Sequence, residues 1–161
     1  MEAAPTHEKL TGVQAYEAAL DRLLARPQRL LRVFDRQFGR NWNTVVRHDL
    51  LRGFLLGGRA NRIQIVLHDA SNLVRDCPRL MLLLRQFSHA VTIHETEPHA
   101  RHVHAPFALA DDRDHLHRFH YDDARSLLAL DDPNGTRVLA DRFVELWEAS
   151  GPTAAATTLG L

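Results

Sequence analysis

The apolar positions of the chain change rhythm several times, and each change marks an element. Val13, Tyr16, Leu20, Leu23 and Leu24 recur at helical spacing, with Thr11 and Gln14 read as a capping box and Pro27 closing the helix. "RLLRVFD" (29–35) is a short apolar run, the mark of a buried strand. "FGRNWN" reads as a loop, with Asn43 capping a helix that runs to Leu56 and stops at Gly57–Gly58. "RIQIVLHD" (62–69) alternates, with Ile63, Ile65 and Leu67 on one side and Val66 on the other, so it reads as a central strand. "PRLMLLLRQF" (78–87) is a helix with Pro well placed in its first turn, and "AVTIHETE" (90–97) is the next strand.

The second half reads differently. A hairpin is predicted, with strands at 102–110 and 115–121 joined by "DDRD", followed by a strand in "ARSLLALD" (124–131). Asp132–Pro133 opens the last helix, whose face is Leu139, Phe143, Leu146 and Trp147. The order α-β-α-β-α-β, then hairpin, strand and helix, predicts an α/β fold: a mixed β-sheet flanked by helices on both faces. Residues 1–10 read as a flexible N-terminal tail, 11–150 as the one domain, and 151–161 as a C-terminal tail or an added edge strand.

Composition narrows the function. With 161 residues and 45% hydrophobic content, one domain has enough material for a core. The formal net charge is zero, and no basic stripe with interleaved aromatics is visible, which argues against a nucleic-acid role. The basic residues are all Arg apart from Lys9, a bias that fits a GC-rich genome. Cys77 is the single cysteine, so no internal disulfide can form, and it reads as a packed thiol. The N-terminal stretch has no apolar leader segment, and "LMLLL" and "GFLLGG" are too short to span a bilayer. The expectation is a cytoplasmic protein with no membrane contact. Trp42 reads as a core residue before a stacking platform, Asp69 as a strand-end residue or a cap, and Glu95 with Glu97 as a solvated face.

The chemistry concentrates in "HARHVHAPFALADDRDHLHRFHY" (99–121), which holds six of the eleven histidines. His102/His104 and His115/His117 are His-x-His pairs, and such pairs on strands point both rings to one face, about 6–7 Å apart. A metal site built from these four is one reading. A two-residue turn at Asp112–Arg113 would pair Ala110 with His115 and Ala108 with His117. His104 would then lie roughly 13 Å from His117, too far to share an ion. The favoured expectation is therefore no metal and no cofactor, with half-exposed strand histidines.

From the histidines onward the chain resembles a phospholipase D-like domain. That superfamily carries His-x-Lys, four residues and Asp on one strand, then a turn and a second strand. A strand ending in Asp-Pro and a final helix with Phe and Trp follow. "HAPFALAD" puts His104 and Asp111 at the motif positions. "DDRD", "LLALDDP" and "LADRFVELWEAS" match the turn, late strand and last helix, and residues 12–150 follow the succession as a whole. More closely, "CPRLMLLLRQFS" and "FVELWEASGP" are similar to a bacterial domain found alone or beside a GNAT-type acetyltransferase.

The resemblance implies a phospholipase D-like fold, His104 and Asp111 as the catalytic positions, and a homodimer, since two motif copies usually meet at one site. It also suggests an acetyltransferase partner. The departure is at Pro106, which stands where the family has Lys, and no Lys occurs after Lys9. In the active family His attacks phosphorus and Lys neutralises the phosphoryl oxygens; losing such a charge costs about 10²–10³ in rate. "HYDDARS" also stands where a Gly-Ser-x-Asn-type segment is expected. The expectation is a catalytically degenerate binding or interaction module, with the loss of the Lys weighing against an enzyme but leaving the question open. Arg101, His102, His104 and Arg125 are its ligand-binding candidates. The alternatives are a phosphodiesterase or nuclease using His104 with a rewired cation, and a metal-binding protein.

Overall fold

The computed structural model describes residues 3–153. Its elements in chain order are β1 (Thr6–Thr11), α1 (Val13–Leu24), β2 (Leu30–Asp35), α2 (Val45–Leu56), β3 (Arg62–Leu67), the short α3 (Leu73–Asp76), α4 (Pro78–Gln86) and β4 (Val91–Thr96). After these come β5 (Phe107–Ala110), β6 (Asp114–Arg118), β7 (Arg125–Leu130), α5 (Pro133–Glu148) and β8 (Ser150–Pro152), with 3-10 turns at Arg40–Asn43 and Pro98–Ala100. The strands form one mixed sheet in the order β1-β7-β6-β5-β2-β3-β4-β8. β2, β3 and β4 are mutually parallel, and every other pairing is antiparallel.

Period-2 alternation sorts the strand side chains into two cores. Leu31, Val33, Ile63, Ile65, Leu67, Val91 and Ile93 pack with Leu20, Leu23 and Leu24 of α1 and with residues of α2 and α4. Phe34, Val66, Phe107 and Leu109 point the other way and pack under Leu139, Phe143 and Leu146 of α5. The α/β fold with helices on both faces stands. Among the described residues no helix is long and apolar enough to cross a membrane.

Several local expectations are corrected. Residues 6–10 are not a loose tail: β1 is an edge strand paired antiparallel with β7 from Thr6↔Leu130 to Thr11↔Arg125. Its side chains are nearly all exposed, so it carries no apolar alternation to read. Thr11 closes that strand and caps nothing; Gly12, at φ 98°, is the N-cap of α1 without a side-chain bond. Thr44, not Asn43, caps α2 by accepting from the Arg47 N–H at 3.2 Å. Asn43 Oδ1 instead accepts from the Arg79 N–H at 2.9 Å, in the first turn of α4. Asp132 does cap α5, accepting from the Gly135 N–H at 3.1 Å. A Cβ on Gly135 would sit 2.4 Å from Asp132 Oδ2, so a side chain there would push the capping carboxylate aside. At the C-terminal end Ser150–Pro152 pairs with β4 as an edge strand, and residues 154–161 of the expected tail lie outside the described residues.

The hairpin is the largest correction. Its turn holds three residues, because Asp111 takes the left-handed conformation at φ 57° and adds one residue before β6 begins. The register becomes Leu109↔His115 and Phe107↔His117, a one-residue shift that sends both rings to the α5 face. β5 starts only at Phe107, so His102 and His104 lie in the loop before it rather than on a strand.

Candidate anion-binding site

The parallel strands end together, and the loop from β4 to β5 must pass the carboxyl ends of β3 and β2 to reach its place in the sheet. Crevices beyond parallel strand ends are where open α/β sheets bind ligands. Here Arg36 follows β2, His68 and Asp69 follow β3, and the crossing loop supplies Arg101 and His104. With Tyr121 these side chains line a cavity of about 230 Å³.

His68 holds the loop in place. It is buried, its Nε2 lies 2.6 Å from the Val103 carbonyl oxygen, and its Nδ1 lies 2.7 Å from Thr96 Oγ1. A carbonyl only accepts, so Nε2 carries the proton. Burial is the main reason that the ring's pKa lies below the ordinary histidine value, with the nearby His104, Arg101 and His102 acting in the same direction. The ring is thus neutral, and Nδ1 accepts from the Thr96 hydroxyl. Phe34 packs edge-on against it, with centroids 5.1 Å apart. Both nitrogens are committed to placing Val103, and hence the neighbouring His104.

His104 itself is exposed, and its carbonyl accepts from the Tyr121 N–H at 2.9 Å. Its ring lies 5.3 Å from that of His120 and 5.5 Å from that of Tyr121. The Arg36 guanidinium sits 4.9 Å over the Tyr121 ring. Arg101 reaches Glu95 only at 4.0 Å, while Glu95 Oε2 accepts from the Ala70 N–H at 2.9 Å. Asp69 is turned into the local turn: it accepts from the Ser71 N–H at 2.9 Å and from Gln37 Nε2 at 3.1 Å. Hydrogen bonding from Ser71 lowers its pKa below the usual carboxylate range. Two guanidinium groups and one imidazole therefore face a small crevice whose carboxylate is occupied, an arrangement suited to a tetrahedral oxyanion.

The remaining sequence candidates scatter. Asp111 lies at the far end of β5, a strand whose four residues span about 13 Å. There its carboxylate accepts from the N–H groups of Gln28, Arg29 and Leu30 at 2.8–3.0 Å. Arg125 is clasped by Asp123 at 2.8 Å and lines neither cavity beside His104. His102 lines a second cavity, of about 490 Å³, on the α5 side of His104. His115 bonds Thr136 Oγ1 at 3.0 Å under α5. His117 packs against Phe119, and burial pushes its pKa down to about 4. The four histidines of the metal reading are not brought together, and among the described residues no three His, Cys, Asp or Glu side chains are grouped to hold an ion.

Trp42 is buried and stacked on Phe38 at 4.1 Å, so it is a core residue. Cys77 is buried, and burial pushes its thiol up to about 11. Sequence reasoning missed Arg36, His68 and Tyr121. The first two follow directly on apolar strand runs, and that position was the available signal.

Comparison with known proteins agrees with this architecture. The chain belongs to the family described as a domain of unknown function (DUF7931), whose model matches residues 12–159. No curated protein matches. Among solved structures the fold is similar to the phospholipase D family member Nuc from Salmonella typhimurium, with TM-score 0.68, 10% identity, and coverage of 93% of this chain and 99% of that one. NucT from Helicobacter pylori is similar at TM-score 0.61 and 12% identity, covering 93% and 100%. TrmBL2, an archaeal chromatin protein, is similar at TM-score 0.64 and 14% identity; 91% of this chain is covered, and it spans 54% of the length of TrmBL2. At these identities the likeness establishes a phospholipase D-like fold.

Proposed function

We propose that this domain is a phospholipase D-like module that binds a phosphate group at His104 without turning it over. The observation that carries the reading is the crevice in which Arg36 and Arg101 stand beside His104. Arg forks suit phosphate oxygens, and His104 adds a donor that strengthens on protonation. Pro106 supports the non-catalytic half: it occupies the motif's Lys position, and its carbonyl accepts from the Arg118 N–H at 2.9 Å. No ammonium stands there to neutralise a transition state. The resemblance adds a homodimer and an acetyltransferase partner to this reading; light scattering of the purified chain tests the first.

The test is calorimetric titration with inorganic phosphate beside an assay of bis(4-nitrophenyl) phosphate hydrolysis. The reading expects a Kd of about 1 mM or tighter and no turnover. A second reading, phosphodiester hydrolysis with His104 as nucleophile, is favoured by the His120 ring, which gives the same chain a second imidazole 5.3 Å away. Turnover that vanishes in His104→Ala would establish this reading and overturn the first.

A further inference from the structure

His104 lines two cavities, and the larger has no part in the reading above. It is a groove of about 490 Å³ between the 99–105 loop and α5, a volume in the range that takes small organic ligands. Its α5 wall presents Arg142 and Glu145, one turn apart, which form no ion pair with each other or with other described residues. Its loop wall presents His99 and His102. His102 Nδ1 lies 3.0 Å from the His99 carbonyl oxygen and so donates to it. Ala105 and Ala149 give the groove small sides, and no Phe, Tyr or Trp is among its described lining residues.

We propose that this groove holds the alcohol half of a phosphate ester, and that this half is a hydroxylated, non-aromatic arm: the ligand is of the sugar-phosphate class. The proposal rests on the phosphate reading of the His104 crevice and specifies what is attached to that phosphate. The Glu145 carboxylate on the α5 wall disfavours a second phosphate. The pairing of a donor (Arg142) with an acceptor (Glu145) matches hydroxyls, which both donate and accept. The small walls and missing aromatic platform disfavour a stacked base or phenyl ring.

The test is calorimetry with inorganic phosphate, glucose 6-phosphate and phenyl phosphate on wild type, Ala149→Trp and Glu145→Ala. Wild type is expected to bind glucose 6-phosphate about tenfold or more tighter than the other two probes. Ala149→Trp fills the groove, and Glu145→Ala removes an acceptor from an exposed helix face where folding is not at risk. Both are expected to cut the preference to about twofold while leaving the affinity for inorganic phosphate unchanged. Binding of inorganic phosphate with no preference for the sugar ester overturns this inference alone, as does a preference for phenyl phosphate or one that survives both variants. Binding of none of the probes overturns both this inference and the phosphate reading.

Discussion

The two ends of β5 carry the two halves of one sequence motif and are built in opposite ways. At the far end, Asp111 satisfies three backbone N–H groups, and Asp114 is fully buried between Arg26 and Arg113, at 2.8 and 2.7 Å, while also accepting from the Asp131 N–H at 2.8 Å. Burial alone would raise the pKa of Asp114, but bonds from Arg113 and Arg26 hold it below the usual range. At the near end His104 is exposed, tied through its own carbonyl and through the carbonyl of its neighbour, and its ring is left to the crevice. Both of these carboxylates at the far end are matched to donors, which serves folding. The near end leaves the Arg36, Arg101 and His104 side chains lining open space.

Four substitutions test that contrast, in descending order of expected effect. Asp114→Ala strands two arginines beside a buried site and should cost about 3–5 kcal/mol in urea unfolding, the largest loss here. Asp111→Ala removes the acceptor for three N–H groups and should cost about 1–3 kcal/mol, with phosphate affinity within about twofold of wild type. Comparable loss of phosphate binding in Asp111→Ala would erase the distinction between the ends. His68→Leu should cost about 1–2 kcal/mol for its two hydrogen bonds and also weaken phosphate binding several-fold, because the loop bearing His104 loses its anchor. Arg101→Ala reverses the pattern: stability within about 0.5 kcal/mol of wild type, affinity for phosphate down about tenfold.

A pH series sharpens the picture through two groups that do not line the crevice. Burial pushes the Asp35 carboxyl from 3.8 up to about 7. Its folded pKa is raised, so its contribution is full below pH 3.8 and is lost as pH rises to about 7. Asp35→Asn should remove that loss, seen as a flatter urea midpoint across this window. His117 has the opposite sign: its pKa falls from 6.5 to about 4, so its contribution is present above pH 6.5 and is lost as pH falls toward 4.

How much the sequence could reveal follows from where the determining contacts lie. β2, β3, β4, α4 and α5 were readable because each packs apolar residues against a core, the helices on one face and β2 and β3 on both, and so shows an apolar run or repeat of its own kind. β1 was not, since a solvated edge strand is held by backbone bonds that any side chain permits. The hairpin register depended on one backbone angle at Asp111, fixed by N–H groups some 80 positions earlier in the chain. A local rule of two-residue turns therefore put His115 and His117 on the wrong face. At the site, the motif pointed to His104 and the nearby loop to Arg101. Arg36, His68 and Tyr121 come from three other segments that only the strand order brings together.

The most direct test of the central claim is an NMR titration of the histidine ring C–H signals with inorganic phosphate at pH 6.5. The account predicts a saturable shift of the His104 signals, with the buried ring of His115, which lines neither cavity, still and the response lost in Arg101→Ala. A His104 ring that stays unmoved while phosphate rises well past millimolar, or one that responds equally without Arg101, would contradict it.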